Sequence, residues 1–237
     1  MPALADQTVL ITGAAQGLGA GIAKVFAAHG ARLVLIDRQD EALQAFNDRI
    51  GGGAQCLVSD LADPAALDAA MAQINGPVGT LIHNAALLRF EQIEDVSLST
   101  FQATMDVGIQ AAFQMTQALW PGMKANGGGA LIFVSSQSGI KGFVGESPYC
   151  AVKHALEGFS KCLALEGAEH GIVSCTITPG KAMRTPMSEK NYPPELKAQW
   201  IDPARLAPAF VQIATTRDPT LSGQRLNAWT MSEPESQ

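Results

Sequence analysis

Short β-branched runs alternate with longer amphipathic stretches from one end of this chain to the other, and that alternation leaves few folds open. Candidate strands lie at 8–11, 32–36, 55–58, 80–83, 130–134, 173–177 and 224–229. Helical patterns fall near 18–29, 41–50, 64–74, 98–123 and 148–170. Strands of four to six residues separated by helices read as βαβ units around a buried parallel sheet. Over 237 residues, 47% are hydrophobic and only 16% charged, enough apolar material for one large core. Ser147-Pro148 reads as a helix start, with a hydroxyl for the N-cap and proline in the first turn. The triplets at 51–53 and 127–129 are all glycine and punctuate helix ends. The one long irregular stretch, from Lys181 to about Ala198, is expected to be functional. Residues 231–237 read as a polar tail.

Composition narrows the partners. A formal charge of -6 with no run of Lys or Arg argues against nucleic acid and anionic membranes. No apolar stretch approaches the roughly 20 residues that span a bilayer, and the first six residues lack a signal-peptide pattern. Cys56, Cys150, Cys162 and Cys175 stand at unrelated spacings, which favours buried, reduced thiols over disulfides or a metal site. A cytoplasmic location is therefore expected.

Thr12-Gly13-Ala14-Ala15-Gln16-Gly17-Leu18-Gly19 follows the first strand and opens a helix. Glycines permit the tight reversal there, and backbone N–H groups at a helix start attract a pyrophosphate. The GxxxGxG spacing departs from the commoner GxGxxG, so alone it leaves open the lesser alternative of a plain strand-to-helix turn that binds nothing. Asp37 ends the second strand, eighteen residues past Gly19, where a carboxylate can bond both ribose hydroxyls of a dinucleotide. It would repel a 2′-phosphate and so favours NAD. Arg38 can stack on adenine or reach a phosphate. Asp60-Leu61 can frame the adenine, or Asp60 can cap a turn.

Tyr149 and Lys153, four apart on a helix, share one face, and Ser136 stands thirteen positions upstream at a strand end. Lowering a phenol from its ordinary value near 10 to about 7 needs roughly 4 kcal/mol. An ammonium about 4 Å away supplies on the order of 4 kcal/mol at an effective dielectric near 20. Tyr149 is thus a candidate general acid/base, Lys153 the cation that lowers its pKa and holds a ribose, and Ser136 the donor to a substrate oxygen.

With these motifs in this order, the chain resembles the short-chain dehydrogenase/reductase family along nearly its whole length. The matching pieces are Thr12–Gly19, Asp60-Leu61, Asn84-Ala85, Ser136, Tyr149-x-x-x-Lys153 and Pro179-Gly180. The resemblance implies one α/β domain over 1–237, a doubly wound Rossmann fold with a seven-stranded parallel sheet. It implies hydride transfer between NAD(H) and a small alcohol or ketone. Cofactor contacts carried over are Gly13, Gln16, Leu18, Gly19, Asp37, Arg38, Asp60, Leu61, Asn84, Ala85, Tyr149, Lys153, Pro179 and Gly180. It also implies a homodimer or homotetramer paired through the helices at 98–123 and 148–170.

Several positions depart from the family pattern. Gly108 stands where the family has a catalytic asparagine, keeping only its carbonyl, and His83 replaces the first asparagine of Asn-Asn-Ala-Gly as a structural strand-end residue. Thr185 falls one residue late for a carboxamide contact. Asn227-Ala228-Trp229 replaces a glycine pair. Two alternatives stay open: a catalytically weakened nucleotide-binding regulator, and an NADP-linked reductase using Arg38. The substrate pocket is expected between 86–90, 137–145 and 181–200. Phe90, Phe143, Met183, Met187 and Trp200 would form apolar walls, and Arg89 and Lys181 either pair with an anionic substrate or carry solvated surface charge.

Overall fold

The computed structural model describes residues 4, 5 and 7–233. Its centre is a sheet of seven parallel strands: β1 (Thr8–Thr12), β2 (Arg32–Asp37), β3 (Gln55–Val58), β4 (Thr80–His83), β5 (Gly129–Val134), β6 (Ile172–Thr178) and β7 (Arg225–Asn227). The spatial order is β3-β2-β1-β4-β5-β6-β7, so the winding reverses between β1 and β4. In β1, β4, β5 and β6 every residue is buried, as a parallel sheet covered on both faces requires.

Helices cover the two faces. They are α1 (Gly17–Ala28), α2 (Asp40–Arg49), α3 (Pro64–Met71), α4 (Leu98–Met105), α5 (Ala111–Ala125), α6 (Ser147–Gly167), α7 (Pro186–Asn191), α8 (Ala207–Thr216) and α9 (Ala228–Ser232). One apolar cluster packs Ile22, Phe26 and Phe210 on one face, and the other packs Leu67, Met115 and Phe133 on the opposite face. The strand residues alternate between them, Val9 and Ile11 facing one cluster and Leu10 the other.

Local sequence rules missed several details. The helix expected at 98–123 is broken between α4 and α5 by a wider π-helical turn, Asp106–Gln110, centred on Gly108. Ser147 is the first helical residue of α6 rather than its cap, a place taken by Glu146. The strand expected over 224–229 shrinks to three residues, because Asn227 caps α9 through its side chain at Thr230 N, 3.2 Å. Met231 and Ser232 of the expected tail belong to α9, and 234–237 lie outside the described residues. The four thiols are free, but only Cys150 and Cys175 are buried; Cys162 is exposed and Cys56 half-buried. The stretch after Lys181 contains α7, a short 3-10 turn at Pro194–Gln199, and a bridge from Met183 to Ile201. Among the described residues no helix is long and apolar enough to cross a membrane.

Candidate active site

The winding reversal between β1 and β4 opens a crevice at the carboxyl ends of the strands, where open α/β sheets bind their ligands. A cavity of about 680 Å³ lies there. Gly13, Asp37, Asn84, Ser136 and Pro179 reach it from the ends of β1, β2, β4, β5 and β6, and Tyr149 and Lys153 from α6. Of the catalytic and cofactor-contact residues expected from the sequence, all but Gly19 line it.

Gly19 does a different job. A Cβ there would overlap the Gly13 carbonyl oxygen, so this glycine lets α1 close onto the turn. Gly13 and Gly17 have φ of +64° and +59°, a region that disfavours side chains. Gln16, at the N-cap of α1, makes no side-chain cap bond, which leaves first-turn N–H groups available to an anion. Asp37, 7% exposed, accepts from Ala15 N at 3.0 Å and from Gln39 N at 3.1 Å and Nε2 at 3.4 Å. A carboxylate has about four acceptor positions, so one remains for a ribose hydroxyl. Asp60 caps its own turn at Ala62 N, 3.0 Å, while still lining the cavity. This cradle fits the pyrophosphate and ribose of a dinucleotide.

Asn84 braces the turn, donating from Nδ2 to the carbonyls of Thr12 at 3.0 Å and Gly13 at 3.2 Å. Thr12 Oγ1 accepts from Asn84 N and Ala85 N, both at 3.1 Å, so its single proton is left for His83 Nδ1 at 3.1 Å. The tautomer follows: His83 carries its proton on Nε2 and donates it to the Gly108 carbonyl at 2.8 Å. Burial, then the nearby Lys153 charge, lowers the His83 pKa to about 4, and the imidazole is neutral at pH 7. His83 is the structural residue expected, and it joins the phosphate turn to the π-helical turn. Gly108 is required by packing, since a Cβ there would overlap Val152 Cγ2.

The catalytic trio comes together with one correction. Tyr149 is half-buried at the cavity wall, and desolvation, followed by Tyr192 and Glu146, raises its pKa; a hydrogen bond with Ser136 lowers it only in part. Lys153 Nζ lies 5.3 Å from the Tyr149 ring centroid and donates to the Val134 carbonyl at 2.7 Å. Desolvation, which a two-charge sum leaves out, is the largest influence on the phenol in the free protein. The ammonium is itself burdened: burial lowers the Lys153 pKa to about 8, with Glu157 pulling it partly back up.

Sequence reasoning missed the groups behind the trio. Ser136 Oγ donates to Ser138 Oγ at 3.2 Å, and Ser138 Oγ donates to Glu146 Oε2 at 2.7 Å. Arg225 on β7 donates to the Ser136 carbonyl at 2.8 Å and pairs with Glu157 at 3.1 Å. Glu157 also accepts from Ser135 and, at 2.7 Å, Thr176. Glu157 stands four residues after Lys153 on α6, a spacing that could have flagged it, and Glu146 is the N-cap residue three before Tyr149. Of the expected pocket walls, Phe143, Met183, Met187 and Trp200 line the cavity, whereas Arg89 and Phe90 line a separate neighbouring depression. Thr185 reaches the cavity, but its Oγ1 caps α7 at Ser188 N, 3.0 Å.

Comparisons with known proteins agree with this geometry. A family model described as short chain dehydrogenase matches residues 7–196. Oxidoreductase UcpA of Escherichia coli strain K12 is 37% identical over 195 residues, covering 80% of this chain and 74% of its own. D-threitol dehydrogenase of Mycolicibacterium smegmatis is 34% identical over 182 residues, covering 74% and 70%. The crystal structure of L-sorbose reductase from Gluconobacter frateurii, complexed with NADPH and L-sorbose, matches with a TM-score of 0.83 at 27% identity, over 96% of this chain and 97% of that one.

Proposed function

Because the chain belongs to the short-chain dehydrogenase/reductase family, a family of nicotinamide-dependent oxidoreductases, we propose that it interconverts a small alcohol and its ketone through Ser136, Tyr149 and Lys153. The observation that carries this is the convergence of those three residues on one cavity with the phosphate turn. The bound nicotinamide supplies or accepts the hydride. Tyr149 donates its proton to the substrate oxygen in reduction and recovers it in oxidation. Its raised pKa suits it to hold that proton at neutral pH. In the oxidative direction the positive charge of Lys153 and of the oxidised nicotinamide ring favours the phenolate. Ser136 donates to the same substrate oxygen, where negative charge develops. Lys153, anchored at Val134, also reaches the ribose hydroxyls.

NAD is the preferred cofactor in this reading. Asp37 keeps an acceptor position for a ribose hydroxyl and opposes a 2′-phosphate. A second reading, NADP, draws support from Arg38, which lines the same cleft, and from the NADPH bound by L-sorbose reductase. The segment 181–200 covers the substrate. Leu98, Phe113 and Leu165 are 79%, 52% and 81% exposed on α4, α5 and α6, which supports pairing of two or more copies there. The free thiols support a reducing, cytoplasmic setting.

The test is calorimetric titration with NAD, NADH and NADP, followed by absorbance at the NADH band against alcohols and ketones. Tighter NAD than NADP binding with turnover is expected. Preference for NADP would move the assignment to Arg38, and binding without any turnover would move it to a nucleotide-binding regulator.

A further inference from the structure

Resting on the oxidoreductase reading above, we infer that Glu146 selects the substrate class: neutral ketones and alcohols with further hydroxyl groups near the reacting carbon, with carboxylates and other anions excluded. Glu146 lines the catalytic cavity yet is only 4% exposed, and it has no ion pair among the described residues. One carboxylate oxygen, Oε2, accepts from Ser138 Oγ at 2.7 Å; Oε1 accepts no hydrogen bond among the described residues. Oε1 is not among the buried unpaired atoms of the described residues, so it is open to the cavity, where a hydroxyl can enter to donate. Glu146 makes no side-chain cap bond to α6, but its place at the helix start favours a negative charge there.

Position supplies the rest. Glu146 is two hydrogen bonds from Ser136 Oγ, through Ser138. It is also close enough to Tyr149 for its charge to raise that phenol. A hydroxyl one or two carbons from the reacting carbon can therefore donate to Oε1. Tyr192, which also feels the Glu146 charge, closes the same end of the cavity.

The cations offer no counterweight. Three line the cavity. Arg38 is at the ribose end, Lys153 is bound to Val134, and Lys181 sits with Nζ 5.3 Å from the Trp229 ring centroid. Arg89 lies outside it, in the neighbouring depression. At the Glu146 end of the cavity an anionic group would thus meet a buried negative charge, whereas a hydroxyl would make a charge-assisted bond.

Four-carbon ketones matched in size provide the test: L-erythrulose (three hydroxyls), butan-2-one (none) and acetoacetate (anionic). Their affinities are measured by calorimetry on the full chain saturated with whichever oxidised cofactor it binds more tightly. Ketones accept no hydride from an oxidised cofactor, so recognition is read apart from chemistry. Erythrulose should bind about 10-fold or more tighter than butan-2-one, and acetoacetate weakest of all. Glu146→Gln, which keeps an acceptor for Ser138, should bring erythrulose within about 3-fold of butan-2-one and strengthen acetoacetate binding. Acetoacetate binding as well as erythrulose, or a variant that shifts all three ligands equally, overturns the inference. So does the absence of any ketone binding to the cofactor-loaded protein. If the variant does not fold, the wild-type ranking alone decides. Hydride transfer from reduced cofactor to erythrulose is scored separately: binding in the expected order without transfer would strike the oxidoreductase reading and leave the role of Glu146 standing.

Discussion

Replacing Gly108 with alanine sets two physical effects against each other. Helix propensity favours alanine over glycine by about 1 kcal/mol at an interior helical position. Packing opposes it: the new Cβ would overlap Val152 Cγ2 and lie 3.3 Å from Val152 Cβ and Cγ1, closer than the roughly 3.5–4.0 Å at which carbon atoms attract. Val152 is 1% exposed and β-branched, so it has little room to turn away. Overpacking of this kind costs about 1–3 kcal/mol, and a stiff, fully buried neighbour places this site at the upper end. The net expectation is a loss of about 2 kcal/mol, or about 4–8 °C in Tm for a chain of this size. In a Val152→Ala background the obstruction is gone, and the same Gly108→Ala change should now stabilise by about 1 kcal/mol. The assay is urea unfolding at pH 7.5 of the wild type, both single variants and the double variant. The two effects of Gly108→Ala should differ by about 3 kcal/mol, a coupling at the high end for residues in contact. If Gly108→Ala has the same sign and size in both backgrounds, packing against Val152 is not why glycine stands there.

Three further outcomes follow from the buried polar groups. His83 titrates near 4 when folded against 6.5 for an ordinary imidazole, so the unfolded chain binds the extra proton first and stability falls as pH drops below 6.5. Urea unfolding should show the wild type losing about 2 kcal/mol more than His83→Gln between pH 7 and 5. Lys153, lowered to about 8 from 10.5, has the same sign: at pH 7 its charge is a stability cost, recovered only as pH rises from 8 to 10.5. Lys153→Met should therefore unfold about 1–2 kcal/mol harder at pH 7, after allowing for the orphaned Val134 carbonyl, while turnover is lost. Arg225→Met leaves Glu157 without its ion pair and Ser136 without its brace. Both side chains are mostly buried, at 22% and 10% exposed, so unfolding should ease by about 2 kcal/mol, below the 3–5 kcal/mol typical of a fully buried pair, and kcat should fall more than KM rises.

Local signals carried the fold because a parallel sheet buried on both faces writes its strands as short, uninterrupted apolar runs such as Val9-Leu10-Ile11 and Leu131-Ile132-Phe133. The phosphate turn was legible for a similar reason, its glycines serving backbone geometry within eight residues. What escaped depends on partners distant in sequence. The π-helical turn at Gly108 is shaped by Val152 and His83, and Arg225 meets Ser136 across 89 positions. The lowered phenol expected at Tyr149 is opposed in the free protein by desolvation, which spacing does not reveal. That Gly19 stands off the cavity lining, against the Gly13 carbonyl, was not legible, because a glycine that admits a ligand and one that admits a helix look alike in sequence. Glu146 was not singled out because the adjoining Ser147-Pro148 reads as the helix start, and only the cavity shows what the acid faces.

The most direct test of the central claim is Tyr149→Phe, with kcat and cofactor affinity measured on the same preparation. The account predicts a fall in kcat of about 10²–10⁴-fold, as expected for loss of a positioned proton donor, with cofactor affinity unchanged within about 3-fold. Turnover that survives the substitution would contradict it.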